Sequence, residues 1–173
     1  MTDAAASVPE RSASAELVGR LIARGWTVAV AESLTGGLVV SSLISVPGAS
    51  ATVRGGVVAY ATPLKHTLLG VDAALLAAEG AVHPEVARQM ADGVRATAAI
   101  DGVAADVGIA TTGVAGPAEQ DGHPVGTVHL AIVTPEDTRV ATLALAGDRA
   151  QIRSQAAAAA LEFALDCIPP NSP

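Results

Sequence analysis

The sequence is poor in aromatic residues, cysteine and lysine, and each shortage narrows what the protein can do. Aromatic residues make up 2% of the 173 residues, which leaves too few platforms for stacking nucleic-acid bases. A single cysteine, Cys167, supports neither a disulfide framework nor a thiolate metal site. The net charge of −7, with no basic cluster to interrupt it, argues against a nucleic-acid partner.

Targeting signals and long apolar runs are also missing from the sequence. The N-terminal segment has no basic stretch followed by an apolar one, as a secretory leader would have. No uninterrupted apolar run approaches the roughly 20 residues that a membrane helix needs. The sequence therefore predicts a cytoplasmic protein without a membrane partner.

Half of the residues are hydrophobic, and the abundance of Ala, Val and Leu is typical of helices packed on a buried sheet. Helical spacing alternates with short apolar runs. Helices are expected at 15–24, 38–45, 84–97 and from 62, 73 and 148, strands at 26–31, 56–61 and 106–111, and a hairpin at 127–133 and 138–145. This order predicts an α/β fold, a single-domain α/β/α sandwich with a mixed, mainly parallel sheet. The domain is expected to span 14–167, between disordered tails at 1–13 and 168–173.

Lys65 is the only lysine in the sequence, and the other nine of the ten Lys and Arg residues are arginines. An arginine cannot lose its proton in a protein, whereas a buried lysine can become a neutral base. Thr62 and Pro63 predict an N-cap and a first helical residue, which places Lys65 in the first helical turn. Burial near Leu64 and Leu68, and the positive end of that helix, should lower its pKa. The alternative is an ordinary solvated lysine.

Ser33 lies at the carboxyl end of the first predicted strand and Tyr60 at the end of the second, with Lys65 in the turn after it. If the two strands are parallel neighbours, the three side chains converge at the edge where open α/β sheets bind ligands. Ser33 would then be a nucleophile, Lys65 its base, and Tyr60 a proton relay or an orienting group. The amides of residues 34–37 are candidates for an oxyanion hole. The alternative is that Ser33 or Thr35 only caps a helix.

A second glycine-containing loop, residues 111–116, also follows a strand, and its amides could hold a phosphate or a ribose. A tight packing turn would have the same composition. Arg149 and Arg153, four residues apart on the last helix, could face the same site or be solvated. The four histidines, His66, His83, His123 and His129, show no paired spacing, so no metal site is predicted.

Several segments, taken in order, resemble the CinA C-terminal domain family, known as nicotinamide-nucleotide amidohydrolase or NMN deamidase. The resemblance covers roughly residues 14 to 166. The segments are Ala31-Glu32-Ser33-Leu34-Thr35-Gly36-Gly37, Val57-Val58-Ala59-Tyr60 with Lys65 and Leu69-Gly70-Val71, Gly80-Ala81-Val82, Thr112-Gly113-Val114-Ala115-Gly116-Pro117, Pro124-Val125-Gly126-Thr127-Val128 and Gly147-Asp148-Arg149.

The resemblance implies that the protein hydrolyses the carboxamide of nicotinamide mononucleotide (NMN) in pyridine-nucleotide salvage, yielding nicotinate mononucleotide and ammonia without a cofactor. It also implies a catalytic set of Ser33, Tyr60 and Lys65. The substrate contacts are expected at Glu32, Thr35, Gly36, Gly37, Thr112, Gly113, Ala115, Gly116 and Arg149. A homo-oligomer is expected for so apolar a chain.

Three positions depart from the family pattern. Leu34 replaces the usual cysteine, residues 118–120 replace two glycines, and His123 stands where a basic residue often precedes Pro-Val-Gly-Thr. Glu119 would place a negative charge near an anionic ligand. The alternative function is therefore a catalytically weak nucleotide-binding or regulatory module of the same fold, linked to competence or the DNA-damage response.

Overall fold

The computed structural model describes residues 12–170, in which helices and strands alternate before a final hairpin and helix. The helices are α1 (Ala13–Arg24), α2 (Leu38–Ile44), α3 (Thr62–Leu69), α4 (Ala73–Glu79), α5 (Pro84–Thr97) and α6 (Arg149–Cys167), with a 3₁₀ turn at Ala49–Ala51. The strands are β1 (Val28–Glu32), β2 (Val53–Val58), β3 (Val107–Gly113), β4 (Thr127–Val133) and β5 (Thr138–Ala144). None of these helices is long and apolar enough to cross a membrane.

The five strands form one mixed sheet in the order β2-β1-β3-β4-β5. β1 runs parallel to both of its neighbours, β2 and β3, whereas β4 and β5 are antiparallel. The last residue of β1, Glu32, pairs with Val58 on one side and Thr111 on the other. The predicted α/β class and the parallel pairing of the first two strands are confirmed, and the carboxyl ends of three strands meet at one edge.

Helices cover both faces of the sheet, which confirms the predicted α/β/α sandwich. One apolar core lies between the sheet and α1, α2 and α6, and a second lies between the sheet and α3, α4 and α5. Two glycines allow α5 to pack unusually closely. A side chain at Gly93 would collide with the Leu69 carbonyl of α3, and one at Gly108 with the Ala91 carbonyl of α5. These two contacts hold α3, which carries Lys65, against α5, and α5 against β3.

Two predicted boundaries near the second strand are wrong. β2 starts at Val53 rather than at residue 56 and ends at Val58, so that Tyr60 lies beyond the strand. Thr62 is not an N-cap, because the extended residue before α3 is Ala61 and no side chain caps this helix. The Ala61 carbonyl already accepts a hydrogen bond from the Leu64 amide, and the helix therefore begins one residue early.

The ends of the domain also differ slightly from the prediction. Ser12 caps α1 through the Ala15 amide, so the first helix begins inside the predicted N-terminal tail. Ile168, predicted to belong to the other tail, is fully buried in the core beside α6. Pro169 and Pro170 are exposed beyond α6, and the rest of the predicted tails, residues 1–11 and 171–173, lies outside the described residues.

Candidate active site

A cleft of about 360 Å³ opens at the carboxyl ends of the three parallel strands, a volume at the lower end of the range for small-molecule sites. Its lining residues come from the segments after β1, β2 and β3, from the link between α4 and α5, and from the start of α6. They are Ser33, Leu34, Tyr60, Ala61, Thr62, Lys65, Ala81, Val82, Thr112, Gly113, Val114, Ala115, Gly116, Ala118, Gln120 and Arg149. Eight residues of the predicted set are therefore brought together around one opening.

Ser33 and Lys65 form a buried hydrogen-bonded pair at this cleft. Lys65 Nζ lies 3.0 Å from Ser33 Oγ and 2.8 Å from the carbonyl oxygen of Ala59. Lys65 is fully buried, and Ser33 is nearly so. Within residues 12–170 no carboxylate comes close enough to form an ion pair with Lys65. The ammonium group would thus be compensated only by uncharged oxygen atoms.

Desolvation by burial lowers the pKa of Lys65 from 10.5 to about 8, as the sequence predicted. The expected neighbours were wrong, however, because Leu64 and Leu68 are 37% and 44% exposed. Lys65 and Leu69 instead share the buried side of α3, as residues four apart on a helix do. With this pKa, about a tenth of the Lys65 side chains would be neutral near pH 7.

Glu32 was predicted to contact the substrate, but the structure places it away from the cleft. Its fully buried carboxylate accepts hydrogen bonds from the amides of Gly37, Val39 and Val40, at 2.8, 3.2 and 2.8 Å. The N-terminus of α2 has no other side-chain cap. A buried carboxylate needs such donors, and the helix N-terminus supplies them.

The other predicted binding residues of this turn, Thr35, Gly36 and Gly37, do not line the cleft either. The buried Thr35 hydroxyl is hydrogen-bonded to the Thr111 hydroxyl at 2.7 Å. The Gly36 amide donates to the Ser33 carbonyl at 3.2 Å, and the Gly37 amide is held as described above. These residues shape the turn that carries the serine.

The predicted oxyanion hole is consequently reduced to fewer candidates. Of the four amides at 34–37, only those of Leu34 and Thr35 donate no hydrogen bond within the described chain. Leu34 lines the cleft, whereas Thr35 does not. The Leu34 amide, next to the serine in sequence and without an acceptor in the described chain, is therefore the remaining candidate.

Tyr60 lies at the rim of the cleft and is 59% exposed. Its hydroxyl accepts a hydrogen bond from Arg149 Nη2 at 2.9 Å, and Arg149 Nη1 donates to the Gly116 carbonyl at 2.7 Å. Tyr60 makes no hydrogen bond to Ser33 or Lys65. Arg149, the first residue of α6, therefore joins the loop after β2 to the loop after β3, across the opening.

The cleft is lined by Thr112 and Gly113, the last two residues of β3, and by Ala115 and Gly116 of the loop that follows, so β3 runs two residues further than predicted. The Thr112 hydroxyl donates to the Ala81 carbonyl at 2.7 Å, and this bond fixes the wall between α4 and α5. Ala81 and Val82 contribute to that wall. Neither was among the predicted site residues, although the Gly80-Ala81-Val82 segment was part of the family resemblance. Small apolar side chains give no chemical signal by which a binding role could have been found.

In the altered loop at 118–120, Ala118 and Gln120 line the cleft and Glu119 does not. Glu119 is exposed to solvent. In the part of the chain that the structure describes, no group of three or more His, Cys, Asp or Glu side chains is placed to hold a metal ion.

The model of the CinA C-terminal domain family matches residues 10–168. The chain belongs to this family. A CinA-like protein from Frankia casuarinae is 50% identical over 147 residues, which cover 85% of this chain and 33% of that relative. The chain thus spans about a third of the length of the curated relatives it matches.

Solved structures of CinA superfamily proteins share the fold over nearly the whole chain. One from Klebsiella pneumoniae, described as a competence-damaged protein, is 30% identical with a TM-score of 0.84, covering 90% of this chain and 95% of its own. Another, from Escherichia coli, is 33% identical with a TM-score of 0.82, covering 90% and 88%. The resemblance seen in the sequence is therefore confirmed at the level of the family and the fold.

The burial of Lys65 has a consequence for stability that is independent of any reaction. Between about pH 8 and pH 10.5 the unfolded chain should bind a proton at Lys65 that the folded chain has lost. Stability should therefore rise with pH across this interval, by about 3 kcal/mol at most. In Lys65→Met, this contribution should disappear from the free energy of unfolding, measured in urea at several pH values from 7 to 10.5.

The comparison between wild type and Lys65→Met cancels the other groups that titrate in this range. Cys167 is one of them, because burial raises the pKa of its thiol. Both proteins contain Cys167, so the difference between their pH curves reports Lys65 alone. Parallel curves would show that Lys65 has the same proton affinity in the folded and unfolded chains.

Proposed function

We propose that this CinA-family domain hydrolyses the carboxamide of NMN to nicotinate mononucleotide and ammonia, as part of pyridine-nucleotide salvage. The observation that carries this proposal is the buried pair of Ser33 and Lys65, 3.0 Å apart, at the cleft. A lysine that is desolvated, without a carboxylate partner, and in contact with a serine hydroxyl has the properties of a base that activates a nucleophile.

In the proposed reaction, neutral Lys65 accepts the proton of Ser33 as Oγ attacks the carboxamide carbon. The Leu34 amide stabilises the negative oxygen that forms. The Lys65 ammonium then returns a proton to the leaving nitrogen, so that ammonia departs and an acyl-enzyme remains. A water molecule, deprotonated by Lys65 in the same way, releases the carboxylate product and regenerates Ser33.

The rim of the cleft is suited to the nucleotide part of this substrate. Arg149 has no carboxylate partner within the described chain, and its cation at the opening would attract a phosphate. The loop at 112–116 offers backbone groups to a ribose. We assign Tyr60 to this rim rather than to proton transfer, because its hydroxyl contacts Arg149.

Incubation of the purified protein with NMN tests the proposal directly. We expect ammonia and nicotinate mononucleotide to form in equal amounts. A coupled assay measures the ammonia, and chromatography measures the nicotinate mononucleotide. EDTA in one arm should leave the rate unchanged, because the proposed steps use only side chains and water. Binding of NMN without release of ammonia would instead support the alternative of a binding or regulatory module. If the protein neither binds NMN nor turns it over, NMN is not its ligand.

The loop at 118–120 gives a separate prediction about the phosphate. Glu119→Gly removes a negative charge between two residues that line the cleft and restores backbone freedom. It should tighten binding of NMN more than binding of nicotinamide riboside, which has no phosphate, in calorimetric titrations of both ligands. Equal effects on both would place this loop away from the phosphate.

A further inference from the structure

Arg153 binds the backbone of the turn that carries Ser33. From the second turn of α6, its Nε donates to the Leu34 carbonyl at 2.9 Å and its Nη2 to the Thr35 carbonyl at 3.1 Å. Within residues 12–170 it has no carboxylate at ion-pair distance. Hydrogen bonds from a charged donor are about twice as strong as neutral ones, so this contact fixes two consecutive peptide groups.

Gly36 leaves the space that the Arg153 guanidinium occupies. Its φ of +61° lies in the left-handed region, and a Cβ there would come within 3.1 Å of Arg153 Nη2. On its other side the turn is held by Glu32, whose carboxylate binds the Gly37 amide. Arg153 thus binds two carbonyl groups of the turn, while the Glu32 carboxylate binds its last amide.

This arrangement occupies the carbonyl groups of the turn. The carbonyl groups of Leu34 and Thr35 are bound to Arg153, and the Ser33 carbonyl accepts from the Gly36 amide. Because a trans peptide is planar, the Leu34 N–H points away from the Ser33 carbonyl. Leu34 lines the cleft, and its amide donates no hydrogen bond within the described chain.

We propose that Arg153 is a positioning residue: it holds the turn so that Ser33 Oγ and the Leu34 amide act on the same carbonyl group. The proposal rests on Ser33 being the nucleophile of the function proposed above. It does not require that NMN is the substrate. The alternative is a purely structural role, in which Arg153 only stabilises the packing of α6 against the sheet.

A matched pair of variants separates these roles. Arg54 also donates to two backbone carbonyls, those of Ala98 and Val103, and within residues 12–170 it has no carboxylate at ion-pair distance, but it lies on β2 away from the cleft. Arg153→Lys and Arg54→Lys each keep the charge; Arg153→Lys loses a two-pronged contact through Nε and Nη2, whereas Arg54 makes both of its bonds through Nη1. Both should lower the unfolding temperature.

The rate at which a small uncharged fluorophosphonate labels Ser33 measures the reactivity of the serine without any contribution from NMN binding. Ser33 Oγ forms a bond to phosphorus, fluoride leaves, and Lys65 takes the serine proton. We expect Arg153→Lys to lower the labelling rate and the kcat for NMN by about 10-fold to 100-fold, with KM changed by less than about 3-fold. Arg54→Lys should label and turn over like wild type.

Labelling of Arg153→Lys at the wild-type rate would overturn the proposal, as would a raised KM with unchanged kcat. If the wild type is labelled but releases no ammonia from NMN, the substrate is wrong, and the labelling rates still decide the role of Arg153. If the wild type is not labelled, both the nucleophile and the positioning role are refuted. Should Arg153→Lys fail to fold, Gly36→Ala displaces the guanidinium instead, and unchanged labelling of that variant would count equally against the proposal.

Discussion

Ser33→Ala should reduce ammonia release from NMN by on the order of 10³-fold or more, because the residue that forms the covalent bond is removed. The fold should survive. Ser33 Oγ has one hydrogen bond, to Lys65 Nζ, and Lys65 keeps its second bond to the Ala59 carbonyl. The variant should therefore lose about 1–3 kcal/mol of stability and remain able to bind NMN.

Ser41→Ala is a suitable control, since Ser41 lies on the exposed side of α2, in the helix that follows the proposed nucleophile. It should retain wild-type turnover. The decisive measurement compares single-turnover rates with NMN, together with the affinity for NMN, for both variants and the wild type. Turnover by Ser33→Ala within a few-fold of wild type would remove Ser33 as the nucleophile.

The features predicted correctly from the sequence depend on local signals. The helix expected at 15–24 ends at Gly25 in the left-handed conformation, and the helix expected from 148 begins with a capping box of Asp148 and Gln151. The hairpin expected at 127–133 and 138–145 forms as β4 and β5, which turn at 134–137. Each of these signals lies within a few residues of the structure it specifies, so no knowledge of the tertiary fold is needed.

Pairing Ser33 with Lys65 required one assumption about tertiary structure, that the first two strands are parallel neighbours. The strand pairing confirms it. The direction in which a side chain points was harder to predict. Glu32 ends a strand next to Ser33, yet its side chain turns to the amides of α2. A strand alternates its side chains between two faces, and two adjacent residues at a strand end therefore rarely enter the same cleft.

The role of Arg153 was undecided from the sequence for a similar reason. Arg149 and Arg153 lie one helical turn apart, and for both of them the prediction was either a place at the site or a solvated side chain. In the structure, Arg149 reaches across the opening to Gly116, whereas Arg153 binds the turn at Leu34. Their partners are more than 30 residues away along the chain, and only the packing of α6 against the sheet determines which carbonyl each one meets.

Lys65→Arg should lose activity about as completely as Lys65→Ala, by on the order of 10²-fold or more. Arginine keeps the positive charge and much of the bulk of lysine, but it cannot become neutral and so cannot accept the serine proton. Wild-type kcat/KM should rise with pH through about 8, as Lys65 loses its proton, and both variants should lack this rise.

Small amines distinguish a missing base from a damaged site. Lys65→Ala leaves a space beside Ser33 Oγ and the Ala59 carbonyl, which ethylamine could enter, and we expect added amine to restore part of the activity. The same amine should not rescue Lys65→Arg, because the guanidinium fills that space. If Lys65→Arg instead remains nearly as active as wild type, with the rise near pH 8 intact, Lys65 acts only as an electrostatic anchor. Another group would then have to activate Ser33.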